Sequence, residues 1–249
     1  MGNTINAIDK NDFATCKDVY FDDESWTIRY LVVDTGSWLA ERQVLVSPKS
    51  FGQNVFAKTG NPMTLSLTCR QIEEGPEINE HEPVSRQQEA KLAEYYLWPA
   101  YWTIPHHRVD YLYGGLAGAV SEEARLQAAE AAKDTDDRSS QAESHLRSVS
   151  EVKGYRVQSF EESVGHIEDF IVNQENLKIW GVVIDTRNWL PGKKVVVPRY
   201  MIDSVSWSDS AVNFFITKQE IEDSPAVDMS QPISEVALSK AESRFTAVH

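Results

Sequence analysis

Two segments of this chain are near copies of one another. Asp18–Val46 lines up with Asp169–Val197 at an offset of 151 residues without gaps, giving 10 identities in 29 positions. Ordinary residue frequencies give roughly 2. The identical pairs include Asp18/Asp169, Ile28/Ile179, Asp34/Asp185, Thr35/Thr186, Trp38/Trp189, Leu39/Leu190 and Val44/Val195. At an offset of 149, Ile72–Ser85 lines up with Ile221–Ser234, with 5 identities in 14 positions. The two-residue difference falls at the turn-rich patch from Lys58 to Pro62, where a change of length costs little. A chain that repeats itself at this distance is read as a tandem duplication, and each copy must fold from about a hundred residues.

Within a copy the pattern is mainly β. Lys17–Phe21, Trp26–Thr35 and Gln43–Ser47 are β-branched and aromatic runs, parted by the polar turn Asp22–Ser25 and by a loop. Asn54–Ala57 and Thr64–Leu67 read as a further hairpin. Short strands at this density predict a small barrel or sandwich, and closure into a barrel would leave no bare sheet edges. The period then changes. Thr68 with Gln71, Thr217 with Glu220 and Ser85 with Gln88 each match a capping box, a hydroxyl residue followed three later by Glu or Gln. They predict a short helix in each copy, stopped near Pro76 or Pro225, and a longer helix over about 85–97, matched by about 234–245. The expected fold class is mainly β: two tandem small β-barrels, each followed by short α-helices. The expected organisation is a first domain over 1–101, a linker over 102–146 that is partly disordered, and a second domain over 147–249. Ser121–Ser144 carries one apolar side chain larger than Ala, Leu126, which is too little to offset the entropy of ordering.

Charge and motif content narrow the function. The net charge of −14 repels nucleic-acid phosphates and anionic lipid, so nucleic acid is not an expected partner. No basic leader, myristoylation motif or run of about 20 apolar residues occurs, so a cytoplasmic protein with no integral membrane segment is expected. Cys16 and Cys69 stand apart and outside any Cys-x-x-Cys pair, which leaves thiol redox chemistry without support. No G-x-S-x-G, P-loop or G-x-G-x-x-G occurs, and no catalytic residue, cofactor or metal is expected. His106 and His107 are adjacent and point apart, which is poor geometry for sharing one ion.

The segments "SVGHIEDFIVNQENLKIWGVVIDTRNWLPGKKVVVP" and "SWTIRYLVVDTGSWLAERQVLVSP" resemble the PRC-barrel family: a G-x-I-x-D opening, a turn, an apolar strand ending near Asp-Thr, then Trp-Leu-Pro-Gly and a final Val strand. That family takes its name from the cytoplasmic domain of the photosynthetic reaction-centre H subunit, and a related barrel forms part of a ribosome-maturation factor. The resemblance covers nearly all of the chain outside 102–146 and points to soluble, usually tandem bacterial members. Three features differ from the H subunit: there is no N-terminal membrane helix, there are two copies, and Ala14 stands where the second copy has Gly165.

Two constellations are the candidate interaction or structural residues. Asp34, Trp38, Asp185 and Trp189 recur in both copies. Asp-Thr suits a strand end that ties its own turn, with the Trp covering a barrel mouth. The run "YYLWPAYW" has no counterpart in the second copy and concentrates Tyr95, Tyr96, Trp98, Tyr101 and Trp102. Such a strap either crosses to seal the other barrel or is a binding hot spot. The acidic run from Ile72 to Glu94 holds seven Glu and is read as a solvated face. The expected role is a non-enzymatic protein-interaction or assembly module whose partner is another protein or a second copy, as a homodimer. The resemblance also implies an H-subunit-like component of membrane electron-transfer complexes, docked peripherally. A ligand-sensing stress protein is a third reading.

Overall fold

A computed structural model describes residues 3–36, 43–51, 62–76, 84–103, 145–186, 193–230 and 233–246. The predicted strand Asn54–Ala57, the Trp-Leu pairs, His106–His107 and nearly all of the expected linker lie outside them. The chain is mainly β and divides into two compact units, Met1–Ser148 with Gln174–Leu177, and Val149–Asn173 with Lys178–His249.

The first unit is built on a sheet in the order β4-β3-β2-β1-β5, with β6 paired to β2. Its strands are β1 (Thr4–Ala7), β2 (Lys10–Asp22), β3 (Thr27–Asp34), β4 (Gln43–Val46), β5 (Met63–Thr64) and β6 (Leu146–Ser148). Residues 146–148, expected at the junction of linker and second domain, instead add a strand to the first unit's sheet, pairing Tyr20 with Ser148 and Asp22 with Leu146. Strand β2 is far longer than the predicted Lys17–Phe21, because β1 pairs with its polar first half. Seven of the eight residues of β3 are buried, so both faces of this strand are covered. One face is covered by α2 (Arg86–Tyr96), whose Leu92 packs with Tyr30, Val32, Leu45, Val84 and Leu146. Each such buried aliphatic side chain contributes roughly 1.5–3 kcal/mol.

The second unit's sheet runs β10-β9-β8-β7-β12-β11. Its strands are β7 (Arg156–Gln158), β8 (Ser163–Val172), β9 (Ile179–Asp185), β10 (Lys194–Pro198), β11 (Ile202–Ser206) and β12 (Ala211–Phe214). Here Val183, Val196 and Ala241 form the equivalent cluster beneath the helix Glu235–Thr246.

The central hairpins of the two sheets share a register. In the first, Cys16 faces Val33 and Asp18 faces Val32 across a bulge, and a second bulge follows Tyr20. In the second, Ile167 faces Ile184 and Asp169 faces Val183 across a bulge, and a second bulge follows Ile171. Every one of these positions is displaced by 151 residues. The first bulge is fixed in the same way in both: Asp18 Oδ1 accepts from the Val19 amide at 2.7 Å, and Asp169 Oδ1 accepts from the Phe170 amide at 2.9 Å. An Asp at a bulge satisfies the amide that the ladder leaves over, which is why this residue recurs. The helices also start as their capping boxes predict. Thr68, Ser85 and Thr217 cap α1 (Cys69–Glu73), α2 and the helix Lys218–Asp223, with both halves of the box present in each.

Candidate functional site

The repeated Asp-Thr pairs sit at strand ends, where Asp34 in one and Thr186 in the other tie the backbone. Asp34 Oδ1 accepts from the Gly36 amide at 2.8 Å, and Gly36 takes φ +57°, a conformation that Gly adopts without strain. Thr186, fully buried, donates from Oγ1 to the Lys193 carbonyl at 2.8 Å, and its amide donates to the same oxygen at 3.1 Å. Asp185 is buried beside it, and Asp185 O lies where a side chain on Gly165 would go. Trp38 and Trp189 lie outside the described residues.

The aromatic strap folds onto its own unit. The described contacts lie within that unit, because the chain reverses direction where α2 ends. Leu97 takes the left-handed conformation (φ 55°, ψ 38°) and turns the chain back along the helix. Trp98 then stacks on Tyr96 at 4.4 Å, approaches Tyr30 at 6.3 Å and donates from Nε1 to Ser50 Oγ at 3.1 Å. Tyr95, partly exposed, meets Tyr96 edge-on and donates to the Gln71 carbonyl at 3.1 Å. Tyr101 is buried and meets Trp102 edge-on at 5.0 Å.

At the end of the strap lies a feature the sequence reading missed. The Tyr101 hydroxyl donates to Glu89 Oε2 at 2.7 Å and accepts from Arg86 Nη1 at 3.0 Å, while Arg86 pairs with Glu89 Oε1 at 3.0 Å. Across the Tyr101 ring stands the Arg29 guanidinium, 3.7 Å from the centroid, and Arg86 lies 4.7 Å from the Trp102 ring. Arg29 Nη2 donates to Ser25 Oγ at 3.0 Å, and Ser25 donates to Asp22 from both its amide and its hydroxyl. Asp22, Arg29 and Glu89 are each at most 5% exposed. Two cations and two carboxylates thus share the cluster, which balances its charge; burying either sign alone would be costly.

Burial dominates the titration here. It pushes the Glu89 carboxyl above the usual carboxylate range, against the Arg86 charge and the hydrogen bonds from Tyr101 and Tyr30. It also carries the Tyr101 phenol well up, and the Glu89 charge adds to that. Burial works against the Arg86 charge, yet Glu89 and Tyr101 more than offset it and raise its pKa. The expectation that the acidic run is a solvated face therefore fails at Glu89. That residue lies one turn before Leu92, on the buried face of α2. A signal was present in the repeat. The counterparts of Arg29, Tyr30 and Glu89 are Trp180, Gly181 and Leu238, and Trp180 and Leu238 pack on the second unit's helix–sheet cluster. At these positions the apolar residues of the second copy point to a buried face.

Chemically, the cluster is a clamp: a phenol and a guanidinium hold the strap, and the carboxylate is committed to both. Residues 145–218 match the PRC-barrel domain family, a span running from β6 through β12 into the helix Lys218–Asp223. No curated protein matches the chain. A PRC-barrel domain points to a protein-interaction module. Among the described residues, no helix is long and apolar enough to cross a membrane.

Proposed function

We propose that the chain is a non-catalytic adaptor carrying two PRC-barrel modules in tandem, the first closed by its aromatic strap, and that it binds other proteins through the module surfaces. The observation that carries this reading is the shared register. Both central hairpins place two bulges at positions 151 residues apart, and an Asp holds the first bulge of each. A shared register supports the reading of one fold used twice, since a one-residue slip would turn every side chain to the other face. Arg29, Tyr30 and Glu89, whose counterparts are Trp180, Gly181 and Leu238, are spent on the strap. That leaves surfaces for recognition.

The test is affinity capture with chemical cross-linking from the source cells, using the full chain, alongside light scattering of the purified protein. The proposal expects reproducible cross-links from either unit to a defined protein. Capture of membrane electron-transfer subunits would identify the partner as the H-subunit analogy implies, and a mass of two chains would identify it as a second copy. Reproducible turnover of a small molecule by the purified chain, or no cross-linked protein at all, would overturn it.

A further inference from the structure

The second unit displays an aromatic pair that its core does not use. Phe160 is 63% exposed and Phe215 43% exposed, and their rings lie 6.1 Å apart at 48°. Both are held on fixed backbone. The Phe160 amide donates to the Ile216 carbonyl at 3.2 Å, and the Phe215 amide donates to the Met201 carbonyl at 2.8 Å. The turn that carries Phe160 is tied by Ser159, whose Oγ accepts from the Glu161 and Glu162 amides and donates to the Glu162 carbonyl. Rings presented on ordered backbone lose little entropy when they bind.

The first unit shows that the fold does not require this pair. Its equivalent backbone bonds run from the Ile8 amide to Leu67 and from the Ser66 amide to Ser50. The position of Phe160 is thus held by Ile8, 64% exposed, and the position of Phe215 by an exposed Ser66. One unit places a hydroxyl where the other places a bare ring.

The local charge is negative. Lys218 lies beside the pair in sequence and donates to Glu162 at 2.8 Å, and Glu222 and Glu161 act on the same ammonium. Glu162 thus pairs with that cation, and Glu161 and Glu222 add negative charge nearby, in a chain of net charge −14.

We propose that Phe160 and Phe215 are the docking point for a short cationic segment of a partner protein that carries one or two large apolar side chains. This rests on the reading of the chain as an interaction module and names the surface and the kind of partner. The size of the patch decides between occupants. At ~200 Å² for a whole aromatic side chain, the two exposed fractions leave on the order of 200 Å² of ring surface. A stable interface with a second copy needs about 800 Å² per partner, whereas a few apolar side chains of a peptide fit the smaller area. The charge agrees: a second copy brings the same carboxylates, and a Lys- or Arg-bearing segment brings the opposite sign.

The test uses the full chain labelled with 15N and the synthetic heptapeptide Lys-Lys-Phe-Ser-Leu-Lys-Lys as probe. The proposal expects saturable shifts of the Phe160, Glu161 and Phe215 amides. Affinity should fall at least tenfold in Phe160→Ser/Phe215→Ser, at least tenfold when Glu replaces each Lys of the peptide, and severalfold as salt rises. Phe215→Ser restores the residue the first unit uses, so the variant keeps the fold. Absence of saturable shifts, equal binding by the variant, or broadening of these amides with protein concentration in the absence of peptide would each overturn it. Cross-linked capture separates the two claims. A double variant that captures the same protein as the wild type refutes this surface alone, and a wild type that captures nothing refutes the interaction module itself.

Discussion

Replacing Tyr101 by Phe removes one oxygen from the buried cluster and nothing else. That oxygen donates to Glu89 at 2.7 Å and accepts from Arg86 at 3.0 Å, and both partners are charged. Hydrogen bonds to charged groups are worth about 1.5–3 kcal/mol each, and a buried carboxylate deprived of a donor adds desolvation cost. The direct Arg86–Glu89 pair at 3.0 Å survives, so the two losses do not add in full. The Phe ring still meets the Arg29 guanidinium, which lies 3.7 Å from the Tyr101 centroid, and keeps that attraction. The expected cost is about 2–3 kcal/mol, confined to the first unit. Tyr101→Leu, which also loses the ring, should cost a further ~1–2 kcal/mol. Urea unfolding of the full chain, followed by tryptophan fluorescence and fitted as two transitions, reads this directly. At a slope of about 2 kcal/mol per molar, the first unit's midpoint should fall by roughly 1 M while the second unit's stays in place. A Phe variant within about 0.5 kcal/mol of the wild type would refute the reasoning, since the hydroxyl could not then be the link that holds the strap.

Three further outcomes are expected. The folded Glu89 carboxyl titrates above its unfolded value, so its contribution to stability is present at low pH and is lost as pH rises through the folded pKa. The stability of the wild type relative to Glu89→Gln should therefore decline as pH rises above the ordinary carboxylate range in urea titrations; an advantage that grows with pH would show a lowered carboxyl instead. Gly165 takes φ +141°, and a Cβ there would stand 2.2 Å from the Asp185 carbonyl oxygen, so Gly165→Ala should cost more than about 2 kcal/mol and lower the second unit's melting temperature by several degrees. An unchanged melting curve would contradict this. Cys16 is buried with its thiol pushed up to about 11, while Cys69 is partly exposed, so a thiol reagent at pH 8 should modify Cys69 first and Cys16 only on unfolding. Equal rates at both would be inconsistent with the packing.

The parts of this fold that could be read from the residues are those governed by local chemistry. The strand before Asp34 shows as an apolar run because both of its faces are covered, and the three capping boxes announce their helices because each needs only four residues. Strand β1 escaped notice because its polar–apolar alternation lasts only four residues; it exists through pairing with β2 and, in parallel, with β5. Strand β6 was hidden for the same reason, since its partners lie more than 120 residues away. The strap was visible as an aromatic excess, but its direction was not, because Leu97 takes a left-handed conformation that usually falls to Gly or Asn. Arg29 and Glu89 were passed over because a charge normally signals solvent. Arg86 meets Glu89 one turn along α2, but Tyr101 meets Arg29 and Glu89 only once the strap has folded back.

The central claim is that the strap lines the first unit and leaves recognition to other surfaces. Amide hydrogen exchange of the full chain, followed in peptides spanning 86–96 and 97–103, tests it most directly. The Leu97 and Trp98 amides both donate to the Ala93 carbonyl, and Tyr101 is anchored on Glu89, so the strap should be protected together with α2 and open with it. In Tyr101→Phe the protection of 97–103 should fall first. A strap that exchanges as fast as an unstructured peptide while α2 stays protected would contradict the account and make those aromatics a bare surface.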